Sequence, residues 1–224
     1  MLYIYTHQGL GDQIICNGLV RHFVDIHKEI TIFCKTMYES HVRWMYRDDD
    51  RIKIISLEGD KEMVDYINQN NILNNLLLVG FNNLKYEGIK PTFKTFDEEF
   101  YEICRLPFDF RFSKFKLQRD EERESKAYLS VNPNNEPYIF LHGKIDKSKV
   151  RQDLKIIENP EEFLILDLLK ILENAEEIHL MESSIKCLVN SYEMKKPKLF
   201  FHRYVRGRND YADSKGLNKY ETLD

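Results

Sequence analysis

The chain of 224 residues lacks most of the short patterns that announce a particular chemistry. Its four cysteines, Cys16, Cys34, Cys104 and Cys187, lie far apart with no C-x-x-C pair. Zinc ribbons and redox dithiols are disfavoured, and reduced thiols in a cytoplasmic setting are expected. No H-x-x-x-H or H-E-x-x-H spacing occurs, so no metal site is expected. No G-x-S-x-G elbow occurs either, which disfavours an α/β-hydrolase. No window approaches the roughly 18 apolar residues of a membrane span, and the apolar start Leu2 to Tyr5 is too short for a signal peptide. An excess of positive charge is missing too: Lys+Arg 33 against Asp+Glu 37 gives a net charge of −4. That sets aside general binding to nucleic acid or to a membrane surface. There is no strong internal repeat.

What is present is enough apolar material for a real core, at 42% of residues, arranged as alternating strand and helix patterns. Short β-rich runs at Leu2–Tyr5, Ile30–Cys34, Ile52–Leu57 and Leu76–Val79 are separated by helical periodicity, with Ile15, Leu19, Phe23 and Ile26 expected on one face. From Phe81 the pattern weakens, and Asn132-Pro133-Asn134-Asn135-Glu136-Pro137 is the clearest breaker cluster. Alternation restarts with a strand at Tyr138–His142 and a helix expected from Asn159-Pro160 to about Glu173. A strand at Glu177–Met181, a helix from Ser183 and a strand at Lys198–Tyr204 follow, and the tail from Gly207 has little to bury. The expectation is an α/β chain of two small Rossmann-like parallel-sheet units facing a cleft. Their bounds are 1–115 and 138–224, with a linker region at 116–137. The many Tyr and Phe fall mostly in apolar runs as core, and in so small a chain they leave room for a homodimer.

Four constellations carry chemistry. Thr6-His7-Gln8-Gly9-Leu10-Gly11-Asp12-Gln13 follows the first strand and opens a helix on a carboxylate. A dinucleotide fingerprint wants a third small residue where Ile14 stands, and an acid where Cys34-Lys35-Thr36 stands. No G-K-[ST] follows, so the P-loop pattern fails as well. Asp12 either caps its helix or does chemistry. Glu182-Ser183-Ser184 opens a later helix, where hydroxyls and backbone N–H groups suit an anion or serve as an ordinary cap. His142-Gly143-Lys144, with Arg151 downstream, could neutralise a diphosphate. The basic run His202 to Arg208 is either a further phosphate contact or a solvated end.

With these residues the chain resembles glycosyltransferases of the two-domain GT-B architecture, in particular heptosyltransferase-related and fucosyltransferase-like branches that start with a G-x-G-D turn. The resemblance rests on Gly9-Leu10-Gly11-Asp12 and on the Ser-Ser helix start. It implies a metal-independent, inverting transfer of a hexosyl or related sugar from a nucleotide-sugar co-substrate to a glycan or other hydroxyl acceptor, with no separate cofactor. It nominates Asp12 as general base, Gly9, Gly11 and Gln13 on the acceptor side, and Ser183, Ser184, His142 and Arg151 around the leaving diphosphate. The family's D-[ST]-G-x-x-H stretch stands here as Glu182-Ser183-Ser184-Ile185-Lys186-Cys187, without its Gly or His. A non-catalytic nucleotide- or glycan-binding relative therefore stays open beside the enzyme, and the missing acid after the second strand argues against a methyltransferase-like Rossmann enzyme.

Overall fold

Strands that are apolar on both faces need cover on both faces, and parallel pairing requires a long return connection between them. Both conditions are met in a computed structural model, which describes residues 1–80, 95–205 and 214–223. The chain divides into two units, Met1–Gln118 and Arg119–Asp224.

In the first unit, β1 (Leu2–Tyr5), β2 (Ile30–Lys35), β3 (Ile52–Leu57) and β4 (Leu76–Leu78) form a wholly parallel sheet in the order β3-β2-β1-β4. Tyr5 and Phe33 point to one face, where Met63 and Ile67 of α4 (Asp60–Gln69) and Ile72 complete a buried cluster. The alternate residues Ile4, Ile30 and Ile32 are fully buried on the other face. Three helices, α1 (Leu10–Ile15), α2 (Asn17–His27) and α3 (Glu39–Met45), belong to this unit, and α2 and α3 lie against β2. The expected continuous first helix is broken at Cys16, which closes α1 and opens α2. Ile15 keeps its place in the core, but the break resets the phase that follows. The buried residues of α2 are Asn17, Gly18, Leu19, Val20, Arg21 and Val24, so Leu19 is inward as expected, whereas Phe23 is half-buried and Ile26, also expected inward, is 57% exposed.

Polar residues on that inner face explain the aromatic, basic stretch that follows α5 (Phe96–Ile103). Residues around α6 (Phe110–Ser113) pack on α2, and Lys116 is held at both backbone groups. The Asn17 amide donates to Lys116 O at 3.2 Å and accepts from Lys116 N–H at 2.9 Å. Arg21 donates to the same carbonyl and to Asp48 at 2.5 Å. Deeper in, Arg111 and Asp97 form an ion pair with both side chains fully buried.

In the second unit, β5 (Tyr138–His142), β6 (Lys155–Glu158), β7 (Glu177–Leu180), β8 (Lys198–His202) and β9 (Glu221–Leu223) make a parallel sheet in the order β6-β5-β7-β8-β9. The described residues include α7 (Glu121–Val131), α8 (Leu169–Asn174) and α9 (Ser184–Ser191). Residues 121–131 lie within the 116–137 stretch and form α7, where the charged run Gln118 to Tyr128 reads as a helix in the sequence as well. Arg123 clamps Asp167 with bonds of 3.0 and 2.6 Å, and Arg119 bonds both Glu124 and Glu173. The helix expected from Pro160 starts later than its cap signal. Asp167 accepts from the Leu164 N–H at 3.2 Å, so the helical turn begins at Ile165 and α8 at Leu169. The tail is not idle beyond residue 213. Asn218 donates to the Val189 and Tyr192 carbonyls at the end of α9, and Tyr220 bonds Asn190 at 2.7 Å before β9 joins the sheet.

Removing the Asn17 side chain takes both of its hydrogen bonds to Lys116 away in a partly buried setting, at a cost of about 1 kcal/mol. Asn17→Ala is therefore expected to lower the urea midpoint of unfolding without changing the slope, and an unchanged midpoint would show that this clamp carries no stability.

Candidate functional site

In an open parallel sheet, ligand crevices form at the carboxyl ends of the strands, where the strand order reverses. The first unit reverses between β1 and β4, so the residues after Tyr5 and after Leu78 flank its crevice. His7 follows β1 there, and Gly80 follows β4 with φ +116; a side chain at Gly80 would meet the His7 Cβ at 3.2 Å. Glycine is needed at that position by both conformation and space.

Asp12 stands at the third position of α1, where its Oδ2 accepts the Gly9 N–H at 3.0 Å. The same oxygen lies 3.0 Å from His7 Nδ1. This carboxylate therefore caps the helix and also orients an imidazole. The hydrogen bond to Asp12 raises the His7 pKa above its ordinary value; burial opposes it, Asp60 adds to it and Lys35 opposes it. Asp60 also accepts from the Tyr5 hydroxyl at 3.1 Å, and burial holds that phenol protonated. Gln13 is buried, and its amide donates to Thr6 Oγ1 and to Phe33 O, both at 3.0 Å. It ties the turn to β2 and its Nε2 is spent inside the fold. Gly11 lies in the first turn of α1. No metal or triad spacing marks His7 in the sequence; its signal is position alone, two residues past an apolar strand.

The second unit reverses between β5 and β7. A cavity of about 460 Å³ opens there, lined by His142, Gly143, Lys144, Glu158, Asn159 and Met181 among others. Gly143 has φ +105, and a side chain there would collide with Met181. His142 is thus placed at the crevice, as expected. Arg151 is placed elsewhere: its guanidinium holds Asp153 at 2.6 Å and Glu177 at 3.2 Å, and Glu177 begins β7 at the opposite end from Leu180. Ser183 caps α9, accepting from Lys186 N–H at 3.3 Å, and Ser184 is the first residue of that helix. Neither serine lines the cavity. Glu182 is engaged by the nearly buried Lys186 at 2.6 Å and by Ser214 at 3.1 Å. Arg206 to Arg208 of the basic run lie outside the described residues.

A chain of polar groups runs across one face of this sheet. Arg151 donates to Glu177, whose other oxygen is 3.2 Å from His179 Nε2. His179 Nδ1 is 2.8 Å from His202 Nε2, and His202 Nδ1 is 3.0 Å from the Tyr204 hydroxyl, which accepts from Asp146 N–H at 3.1 Å. One assignment satisfies every link: Tyr204 donates to His202, His202 to His179 and His179 to Glu177, with both imidazoles neutral. Burial lowers both histidines, His202 to about 4 with help from His179 and Lys149.

Among the described residues no group of three or more His, Cys, Asp or Glu could hold a metal ion, and no helix is long and apolar enough to cross a membrane. No protein-family model matches the chain, and no curated protein matches it in sequence. Solved structures do. ADP-heptose LPS heptosyltransferase II of E. coli aligns with a TM-score of 0.61 at 9% identity, over 100% of this chain and 90% of that one. A glycosyl transferase family 9 structure from Veillonella parvula DSM 2008 aligns with a TM-score of 0.59 at 11% identity, over 99% of this chain and 85% of that one. The chain shares the two-sheet α/β fold of these glycosyltransferases, the architecture that its G-x-G-D turn resembles.

The neutral histidine pair has a consequence for stability. Both folded-state values lie below the ordinary imidazole value of about 6.5, so on acidification the unfolded chain binds protons first. Stability from these groups is fully present above pH about 6.5 and is lost as the pH falls toward about 4, His202 contributing on the order of 3 kcal/mol and His179 acting in the same direction. Urea unfolding at stepped pH is expected to show this slope and His202→Gln to flatten it; a flat wild-type profile across the window would refute the neutral pair.

Proposed function

We propose that this protein is a glycosyltransferase that moves a sugar from a nucleoside-diphosphate donor to an acceptor hydroxyl, without a metal ion and with inversion at the anomeric carbon. The observation that carries the reading is the alignment of both sheets, over nearly the whole chain, with two glycosyltransferase structures. The local chemistry is consistent with it. Transfer needs positive charge and N–H donors around a leaving diphosphate, and a base at the acceptor oxygen. His142, Lys144 and the backbone of the Gly143 turn border a cavity large enough for part of a nucleotide. These groups, rather than Arg151 and Ser183, take the diphosphate in this reading. His7 and Asp12 serve the acceptor. One in-line displacement of this kind inverts the anomeric centre. None of the four cysteines is in a disulfide, which favours a reducing, cytoplasmic setting.

The second reading, a nucleotide- or glycan-binding relative without turnover, is favoured by one observation: Ser183 and Glu182 of the Ser-Ser helix start are both engaged within the unit. Thermal unfolding with UDP, GDP and ADP, each with and without magnesium, separates the possibilities. Binding at 100 times Kd adds about 2.7 kcal/mol, a rise of several degrees. One diphosphate is expected to stabilise the protein independently of magnesium, and the matching nucleotide-sugar to release that diphosphate on incubation with the protein. Stabilisation without release from any donor would favour the binding module. A response to S-adenosylmethionine in place of nucleotides would overturn both readings.

A further inference from the structure

Asp12 is the acid that the glycine turn nominates as the base, yet its position is that of a support. Both of its hydrogen bonds fall on Oδ2, from the Gly9 N–H and from the His7 ring at 3.0 Å each, and its side chain is 14% exposed. The His7 side chain is 35% exposed and stands at the carboxyl end of β1, on the strand-reversal crevice. An imidazole whose Nδ1–H is bound by a carboxylate carries its lone pair on Nε2. The same logic orients the histidine of hydrolytic triads.

We propose that the proton acceptor of the transfer is His7 Nε2, with Asp12 as its positioning residue; this rests on the glycosyltransfer reading above. The acceptor hydroxyl oxygen forms a bond to the anomeric carbon as the bond from that carbon to the diphosphate oxygen breaks, and the nucleoside diphosphate leaves with the electron pair. The hydroxyl proton passes to His7 Nε2, and the resulting imidazolium is held by the Asp12 carboxylate. No further reactant is required. Among the described residues, charged groups on three elements act on the ring: Asp12 on α1, Asp60 on α4 and Lys35 at the end of β2. Two of them favour the protonated ring and one opposes it, with Asp12 the largest, so the pair is suited to receive a proton. Gly80 packs beside the base of the His7 side chain, its absent side chain leaving room for the His7 Cβ.

The test follows nucleoside diphosphate release from UDP-glucose, GDP-mannose, GDP-fucose and ADP-glucose, with water or an added sugar as acceptor, as a function of pH. In the wild type kcat/KM is expected to climb with pH through a midpoint above about 6.5, the ordinary imidazole value. His7→Gln is expected to lower kcat by about 10²- to 10⁴-fold, within the range of general-base catalysis, with donor KM nearly unchanged. Asp12→Asn is expected to move the midpoint to lower pH. Imidazole added to His7→Ala is expected to restore part of the rate, which a purely structural role would not allow. Nitrogen NMR of the wild-type ring reads the tautomer without turnover, so the proposal stays testable if a variant fails to fold. A ring protonated on Nε2, or full activity in His7→Gln with an acid limb in the carboxylate range, would overturn the proposal and return the base role to Asp12. Absence of release from every donor, despite the expected tautomer, would instead remove the glycosyltransfer reading and the base role with it.

Discussion

Everything at the two candidate sites depends on one constraint: in each parallel sheet the chain reverses its direction of strand addition beside the first strand. β1 has β2 on one side and β4 on the other; β5 has β6 on one side and β7 on the other. The loops leaving those neighbouring ends must diverge, because each feeds a connection on a different part of the sheet. A crevice is the result, and a residue at the end of the first strand or within two residues past it overlooks it. In both units that residue is a histidine, His7 or His142. Each crevice also contains a glycine in the left-handed region, Gly80 or Gly143, which keeps a side chain from entering the space.

The crevices keep their shape because buried polar groups behind them are tied down rather than left to water. Tyr101 donates to Ile15 O at 2.8 Å, where the break between α1 and α2 frees a carbonyl. Gln13 links the turn after β1 to the backbone of β2. Asn17 and Arg21 bring a loop from 95 residues or more along the chain onto α2. The Arg111–Asp97 pair is fully buried in the same unit; such a pair contributes little net stability, but loss of one partner leaves an uncompensated charge.

The strands β1 to β5, β7 and β8 were legible in the sequence, as was the Ser183 cap, because apolar runs and cap residues mark them in the chain. The edge strands β6 and β9 were not. Lys155–Glu158 and Glu221–Leu223 are short, half-solvated edges that carry charge at one or both ends, whereas the edge strands Ile52–Leu57 and Leu76–Leu78 keep an apolar run. Site residues were legible only as far as chain order predicts position. His142 ends a strand, so its place followed; Arg151 precedes the next strand and lies toward the other end of the sheet, which spacing alone does not reveal. Gln13 and Ser183 carry the residue types of a binding site, but helix starts need the same types for their own hydrogen bonds. The helix expected from Pro160 failed for a related reason: Asp167 offers a second acidic cap, and Arg123 anchors that one to α7.

The histidines show how little residue type decides by itself. His202 is fully buried, and its Nδ1 accepts from a phenol while Nε2 donates to a second imidazole. Every partner is satisfied only if the ring is neutral, and burial charges it with difficulty. His7 offers its Nδ1 to a carboxylate at the rim of a sheet, where solvent and an anion both stabilise the imidazolium. One environment excludes the proton and the other attracts it, although the two side chains are chemically identical. The distinction lies in what Nδ1 meets, and that is set by Gly9, whose N–H draws the Asp12 carboxylate back over the turn to face the ring. A residue with no motif of its own is thereby brought into a chemical role by a helix cap.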